Sequence, residues 1–314
     1  MTSSPSESQA LQAALEGWGM QFCGMERVTI GVSRSLWKAN GHFLVAESPN
    51  RHDRFIREQS LLAKLSASLK DEPGSPQVPT PLATSLGAPV HVDSSQWVWQ
   101  VTPQIPCRQG ALASPSSHRL LADAWRTLRP HFEALTVDDS VALVDPLDEA
   151  RTSSEDSFDL DFAAEIDSVE ETLDSYRILL RDALQRLQNV PTSLIHGDWI
   201  VPNIGFAEDY SAVVAVFDVE EASWSSPMID LAQMVSGILV WSGIPQAEQL
   251  ATSILDELGV KHDEVFAAMV VYWWTNFTRL HSRWSSGESH ILDPLKRQPN
   301  RLASVEKLYK QLLS

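Results

Sequence analysis

Apolar and polar positions along this chain change their period near residue 50 and again near residue 115. Over residues 27–48 they read as strand. Val28-Thr29-Ile30 is β-branched, Ser35-Leu36-Trp37-Lys38-Ala39 leads into Asn40-Gly41, and residues 42–46 return as a partner strand. Asn-Gly is a dipeptide that favours a two-residue hairpin. Residues 54–69 carry Phe55, Leu61, Leu62 and Leu65 close to one helical stripe. A Pro-rich stretch from Pro73 to Pro81 follows, then strand patterns at 90–92 and 97–101, which Pro103 and Pro106 end. Beyond them the pattern is helical over 117–135, 163–187, 228–240, 246–258, 264–284 and 294–313, interrupted by an apolar strand-like run at 212–217. Trp273, Phe277, Leu280 and Trp284 fall at helical spacing and predict a core stripe, with Trp274 off it, towards a pocket or a partner. No internal repeat interrupts this order.

A chain of 314 residues, 43% of them hydrophobic, is long enough for two domains with sizeable cores. The change from strands to helices places the boundary between 1–101 and 102–314. No apolar run approaches about 18 residues, so no membrane span is expected. Residues 1–8 are polar and lack the basic and apolar regions of a secretory signal. Cys23 and Cys107 are too few for a disulfide framework and lack metal-ligand spacing, which points to a reducing cytoplasm. The net charge of −17, from 24 basic and 41 acidic residues, argues against nucleic acid, because phosphate binding needs clustered Lys and Arg. Between Asp138 and Asp174 lie fourteen Asp or Glu residues and one basic residue, Arg151, a composition that predicts a solvated insertion.

The chemistry concentrates in His196-Gly197-Asp198-Trp199-Ile200-Val201-Pro202-Asn203 and Phe217-Asp218-Val219-Glu220. Phosphoryl transfer needs a group to orient the attacking hydroxyl and oxygen ligands to hold a metal against the phosphates. Protein kinases take these from H-R-D-x-x-x-x-N and a later Asp. Asp198 and Asn203 keep that spacing, with Gly197 in place of the Arg, and Asp218 follows the strand-like run. Asp198 is the candidate base. Asn203 and Asp218 are hard oxygen ligands that suit Mg2+ completed by phosphates and waters.

With Pro227 and Asp230-Leu231-Ala232 added, the block from Leu194 to Ala232 resembles the aminoglycoside phosphotransferase and choline kinase family of small-molecule kinases. The resemblance implies an α+β, bilobal, protein-kinase-like fold with a small antiparallel-sheet N-lobe and a larger, mainly helical C-lobe. It implies ATP and Mg2+ as cofactors and a small-molecule hydroxyl as acceptor, on an aminoglycoside-like antibiotic, an amino alcohol or a sugar. Asp198 and His196 form the catalytic pair, with His196 bracing the loop rather than shuttling protons. Asp230 holds the loop, and Glu220 sits near the metal or the substrate. In the N-lobe, Glu58 is the helix carboxylate expected to pair with a basic residue on the third strand. That strand has none, so Lys38 on the neighbouring strand is expected to face Glu58, with Arg34, Arg51 and Arg54 next in line. Ser33 and Ser35 are expected at the phosphates, and the backbone from Gln100 to Thr102 at the adenine edge. The alternative is a nucleotide-binding pseudokinase with a binding or regulatory role. A protein kinase is a weaker third, since no activation-loop signature separates Asp218 from Pro227.

Overall fold

The computed structural model of the protein describes residues 5–28, 35–109, 114–135, 145–163, 169–241 and 245–313. Thr29, Ile30, Ser33 and Arg34 therefore lie outside the described residues. The chain begins with a helix that its strand-rich N-terminal pattern does not announce, α1 (Glu7–Trp18). A reciprocal cap starts it: the Ser6 side chain accepts from the Gln9 N–H at 3.3 Å, and the Ser6 N–H donates to the Gln9 side chain at 2.8 Å. Its buried face is a stripe of small residues, Ala10, Ala13, Ala14 and Gly17.

The strands that follow are β1 (Glu26–Val28), β2 (Ser35–Ala39) and β3 (His42–Glu47). Helix α2 (His52–Leu69) comes next, then β4 (His91–Val92) and β5 (Val98–Pro103). They form an antiparallel sheet in the order β1-β2-β3-β5-β4. The predicted hairpin closes at Asn40 and Gly41, both at positive φ of 51° and 74°, as that turn requires. Side chains alternate across the sheet. Trp37, Ala39, Leu44, Ala46, Trp99 and Val101 join the α1 stripe in one apolar cluster.

The chain goes on through β6 (Arg108–Gln109), α3 (Pro115–Ala134), α4 (Pro146–Ser153), α5 (Val169–Leu187) and β7 (Ser193–Ile195). Then come β8 (Ile204–Phe206), β9 (Val213–Val216), β10 (Ser223–Ser225) and α6 (Met228–Ser236), which runs into a π-helical turn over Gly237–Trp241. The last helices are α7 (Ala247–Leu258), α8 (His262–Ser285), α9 (Leu292–Lys296) and α10 (Gln298–Leu313). The helix expected over 294–313 is thus two helices, and the one expected over 228–240 changes its winding at Gly237.

By contacts the chain forms two compact units. The first holds Met1–Gly110, Ala134–Val141 and Pro202–Glu220, so a second small sheet, β6-β8-β9, belongs with the five-stranded one. The second unit is Ala111–Glu133, Ala142–Val201 and Glu221–Ser314, mainly helical around α8. Helix α8 packs on α4, α5, α6, α9 and α10, and from Val265 to Val271 it is buried on every side, as an all-round apolar helix must be. Trp274 is core as well, not a pocket residue. It is fully buried, stacks on Tyr176, and its indole N–H donates to the Ser153 hydroxyl at 3.0 Å.

The acidic segment also departs from expectation. Its described residues 145–163 fold onto the second unit. Asp145 caps α4, and Phe158 and Phe162 pack their rings against Phe277 and His281. Two aromatic side chains supply the apolar area that the charge count conceals.

His118 on α3 is 1% exposed, and neither ring nitrogen meets a hydrogen-bond partner among the described residues. Burial pushes its pKa down to about 4 from an ordinary 6.5. A folded-state value below the unfolded one means that stability is full above pH 6.5 and is lost as the pH falls towards 4. His118→Leu is therefore expected to gain about 2 kcal/mol relative to the unsubstituted protein between pH 7 and pH 5. Urea unfolding midpoints at the two pH values measure it, and a difference that does not change with pH would contradict a neutral buried imidazole.

Candidate active site

Strand β7 is short and fully buried, and it pairs with β10 through Ile195 and Ser223. It delivers the chain into the His196–Trp199 loop, whose four successive backbone N–H groups all go to side chains. His196 donates to Asp230 Oδ2 at 3.0 Å and Gly197 to Asp230 Oδ1 at 2.9 Å. Asp198 donates to His196 Nδ1 at 3.3 Å and Trp199 to Gln233 Oε1 at 2.6 Å. The Gln233 amide returns a bond to the Gly197 carbonyl. Asp230 and Gln233 stand three residues apart on α6 and so share a face. Their side chains replace the backbone ladder that a loop lacks. Burial pushes the Asp230 carboxyl up to about 7, against the two N–H bonds it accepts, and the Asp198 charge pushes the same way.

His196 is completely buried, with ring-edge contacts to Phe132 and Trp199. The buried ring accepts from the loop backbone, as a side chain that braces the loop does. Gly197 sits at φ 83°, and a Cβ there would lie 1.9 Å from the Glu221 carbonyl oxygen, so only glycine fits. Asp198 is left half-exposed on a loop whose N–H groups are all engaged. Tyr272 on α8 feels it: burial first, then the Asp198 charge, raise the Tyr272 hydroxyl well above its ordinary value.

The metal-ligand candidates belong to the first unit. The Phe217 N–H donates to the Asn203 carbonyl at 2.9 Å, which joins the end of β9, one residue before Asp218, to the residue before β8. Asp218 is exposed and holds φ 57°, in the left-handed region. Non-glycine residues rarely adopt it, Asp and Asn more readily than others, and such strain gathers at functional sites. Glu220 lies in the turn that follows, Val219–Glu221.

The expected nucleotide residues divide between the two faces of the five-stranded sheet. Ser35 pairs with Ala46 and Ala46 with Trp99, which puts Ser35 on the α1 face with the apolar cluster. Its hydroxyl is therefore not with Lys38, Gln100 and Thr102, which alternate to the other face. The Val101 carbonyl is taken by the Leu82 N–H at 2.8 Å. Glu58 is buried on α2, and Lys38 is half-buried. The expected pair between them does not form: among the described residues Lys38 makes no ion pair. Lys38 stands opposite Phe43, next to the hairpin turn, four residues or about 13 Å of strand from the end of β3. At that end the sequence has Glu47, 1% exposed, with Arg51 at 3.8 Å.

Sequence reasoning missed Gln233 and Glu47. A Gln three residues after the Asp of Asp230-Leu231-Ala232 is a readable helical pair, but nothing in the sequence says that it turns towards residue 199.

The model of a phosphotransferase enzyme family matches residues 27–264. The chain belongs to this family. Solved structures share its bilobal, protein-kinase-like α+β fold. A spectinomycin phosphotransferase in complex with ADP and spectinomycin is 12% identical, with a TM-score of 0.67 over 98% of this chain and 100% of that one. An amicoumacin kinase in complex with AMP-PNP, Ca2+ and Ami is also 12% identical, with a TM-score of 0.67 over 98% and 97%. An aminoglycoside 2'-phosphotransferase in its GDP complex is 12% identical, with a TM-score of 0.70 over 96% and 99%. At such identities the likeness is one of fold. No curated protein matches in sequence. The phosphotransferase assignment makes the chain an enzyme of the small-molecule kinase class. None of its described helices is long and apolar enough to cross a membrane.

Proposed function

We propose that this phosphotransferase moves the γ-phosphoryl group of ATP, with Mg2+, to a hydroxyl of a small molecule: an aminoglycoside-like compound, an amino alcohol or a sugar. The observation that carries the reading is the His196–Trp199 loop, whose every N–H is engaged while Asp198 stays half-exposed. A base works when it is held within hydrogen-bond reach of the hydroxyl without cost at the moment of reaction. Asp198 orients the hydroxyl and accepts its proton, and His196, Asp230 and Gln233 hold Asp198.

The donor set fits Mg2+. Among the described residues no three His, Cys, Asp or Glu side chains cluster as metal ligands. Mg2+ on a nucleotide takes one or two protein oxygens and completes its octahedron with phosphates and waters. The Asp218 carboxylate and the Asn203 amide oxygen would hold it, and it would neutralise the phosphate charge as that charge develops. The end of β5, from Gln100 to Thr102, would meet the nucleotide base. The spectinomycin phosphotransferase and amicoumacin kinase structures contain ADP and AMP-PNP respectively, which supports ATP as the donor, and the Ca2+ in the second supports a divalent ion. The GDP complex of the aminoglycoside 2'-phosphotransferase makes GTP the donor to compare. The chain's acidity and free cysteines favour a cytoplasmic enzyme without nucleic-acid partners.

One observation favours the pseudokinase alternative. The third strand carries no basic residue and ends in buried Glu47, with the Arg51 guanidinium 3.8 Å from its carboxylate. Calorimetric titration of ATP and GTP with and without Mg2+, then mass detection of phosphorylated products over a panel of hydroxyl acceptors, tests the proposal. Mg2+-dependent binding with a phosphorylated product is the expected result. Nucleotide binding with no product across the panel favours the pseudokinase, and no Mg2+-dependent binding overturns both.

A further inference from the structure

Gly197 closes against the backbone of Glu221 and Ala222, the nearest atom being the Glu221 carbonyl oxygen. The Glu221–Ala222 backbone, which leads into β10, is therefore the wall of the catalytic turn. The Glu221 side chain is not left to solvent: Arg279 Nη1 on α8 donates to Glu221 Oε2 at 3.2 Å. The same guanidinium is anchored on its other side by Glu149 of α4. Arg279 Nε lies 3.0 and 2.9 Å from the two Glu149 oxygens, and Nη2 lies 2.7 Å from Oε2. The Glu149 side chain is 20% exposed, against 41% for Arg279 and for Glu221, so the anchor is on the buried side.

We propose that Arg279 is a positioning residue for phosphoryl transfer, tying the Glu221 wall to α4 and α8 and so holding the Gly197–Asp198 turn in place. The inference rests on Asp198 being the group that orients the acceptor. Its physical basis is the planar fork of the guanidinium, which engages Glu149 with two nitrogens and still has a third for Glu221. A lysine ammonium has no such fork. Tyr272 lies seven residues before Arg279 and on the same face of α8; burial raises its hydroxyl pKa most, the Asp198 charge raises it further, and the Arg301 and Arg279 charges lower it. The acidic segment thus contributes Glu149 to the catalytic loop rather than a loose charged surface.

Hydrogen exchange and Mg2+-dependent ATP hydrolysis, followed together in Arg279→Met, Arg279→Lys and Glu221→Gln, test it. Exchange at the amides of residues 196–199 is expected to rise at least about tenfold in Arg279→Met, with α5 and α10 unchanged, as for a local opening. The kcat for ATP hydrolysis is expected to fall at least about tenfold while KM for MgATP stays within about twofold, the split of an interaction that matters in the transition state. Arg279→Lys restores part of both, and Glu221→Gln reproduces the exchange change without stranding a guanidinium, which covers a failure of Arg279→Met to fold. Unchanged exchange at 196–199 in the variants overturns the positioning role whatever the turnover. Absence of Mg2+-dependent nucleotide binding by the unsubstituted protein overturns the phosphotransfer reading instead, and with it the catalytic meaning of the tie.

Discussion

Asp198→Asn is expected to lower turnover by roughly 10²- to 10⁴-fold, the range for a positioned general base, while nucleotide affinity hardly changes. The substitution keeps the shape of the side chain and removes its charge and basicity. The bonds that fix the turn come from Asp230, Gln233 and the His196 ring, and the Asp198 residue enters them through its backbone N–H. The fold and the loop should therefore survive, and the loss should fall on kcat. Turnover of ATP or of an identified acceptor, with calorimetric affinity alongside, measures it. A loss of only a few fold would mean that Asp198 does not orient the reacting hydroxyl.

The second large effect is expected at Asp218. Asp218→Asn should weaken Mg2+-dependent ATP binding on the order of 10²-fold, since even supporting residues of a metal site commonly cost 10- to 100-fold when replaced. Asn is the informative substitution because it tolerates the left-handed backbone at φ 57° that Ala resists. Ala would confound loss of a ligand with relief or transfer of strain at the end of β9. Asn removes the charge and leaves the conformation. Binding measured without Mg2+ should be nearly the same in both proteins. Equal Mg2+-dependent affinity would remove Asp218 from the metal site and leave its strained conformation without a purpose.

Most of the candidate site was legible along the chain because its determinants are local. The Asp198-to-Asn203 interval, the glycine at 197 and the position of Asp218 after an apolar run are short-range facts. So is the Asn40-Gly41 hairpin, which two positive-φ residues specify wherever they occur. The helix α1 was written in the same local terms, as Ser6 and Gln9 of a capping box, but its small-residue stripe carries too little hydrophobic contrast to show as a period.

What the tertiary structure alone decided are matters of facing and of distance across the chain. Strand register, not composition, sent Ser35 to the α1 side of the sheet and Lys38 to the other, because a one-residue step reverses the face. Chain folding brought Asp230 and Gln233 onto backbone N–H groups more than thirty residues earlier. It also placed Glu149 and Glu221, 130 and 58 residues before Arg279, on its one guanidinium. Phe158 and Phe162 turned an acidic stretch that reads as solvated into a packed one. Sequence determines which chemistry is present and the local geometry that adjacent residues impose on one another. Which side chains meet is settled by burial of the whole core, a sum over many weak contacts that no short stretch contains.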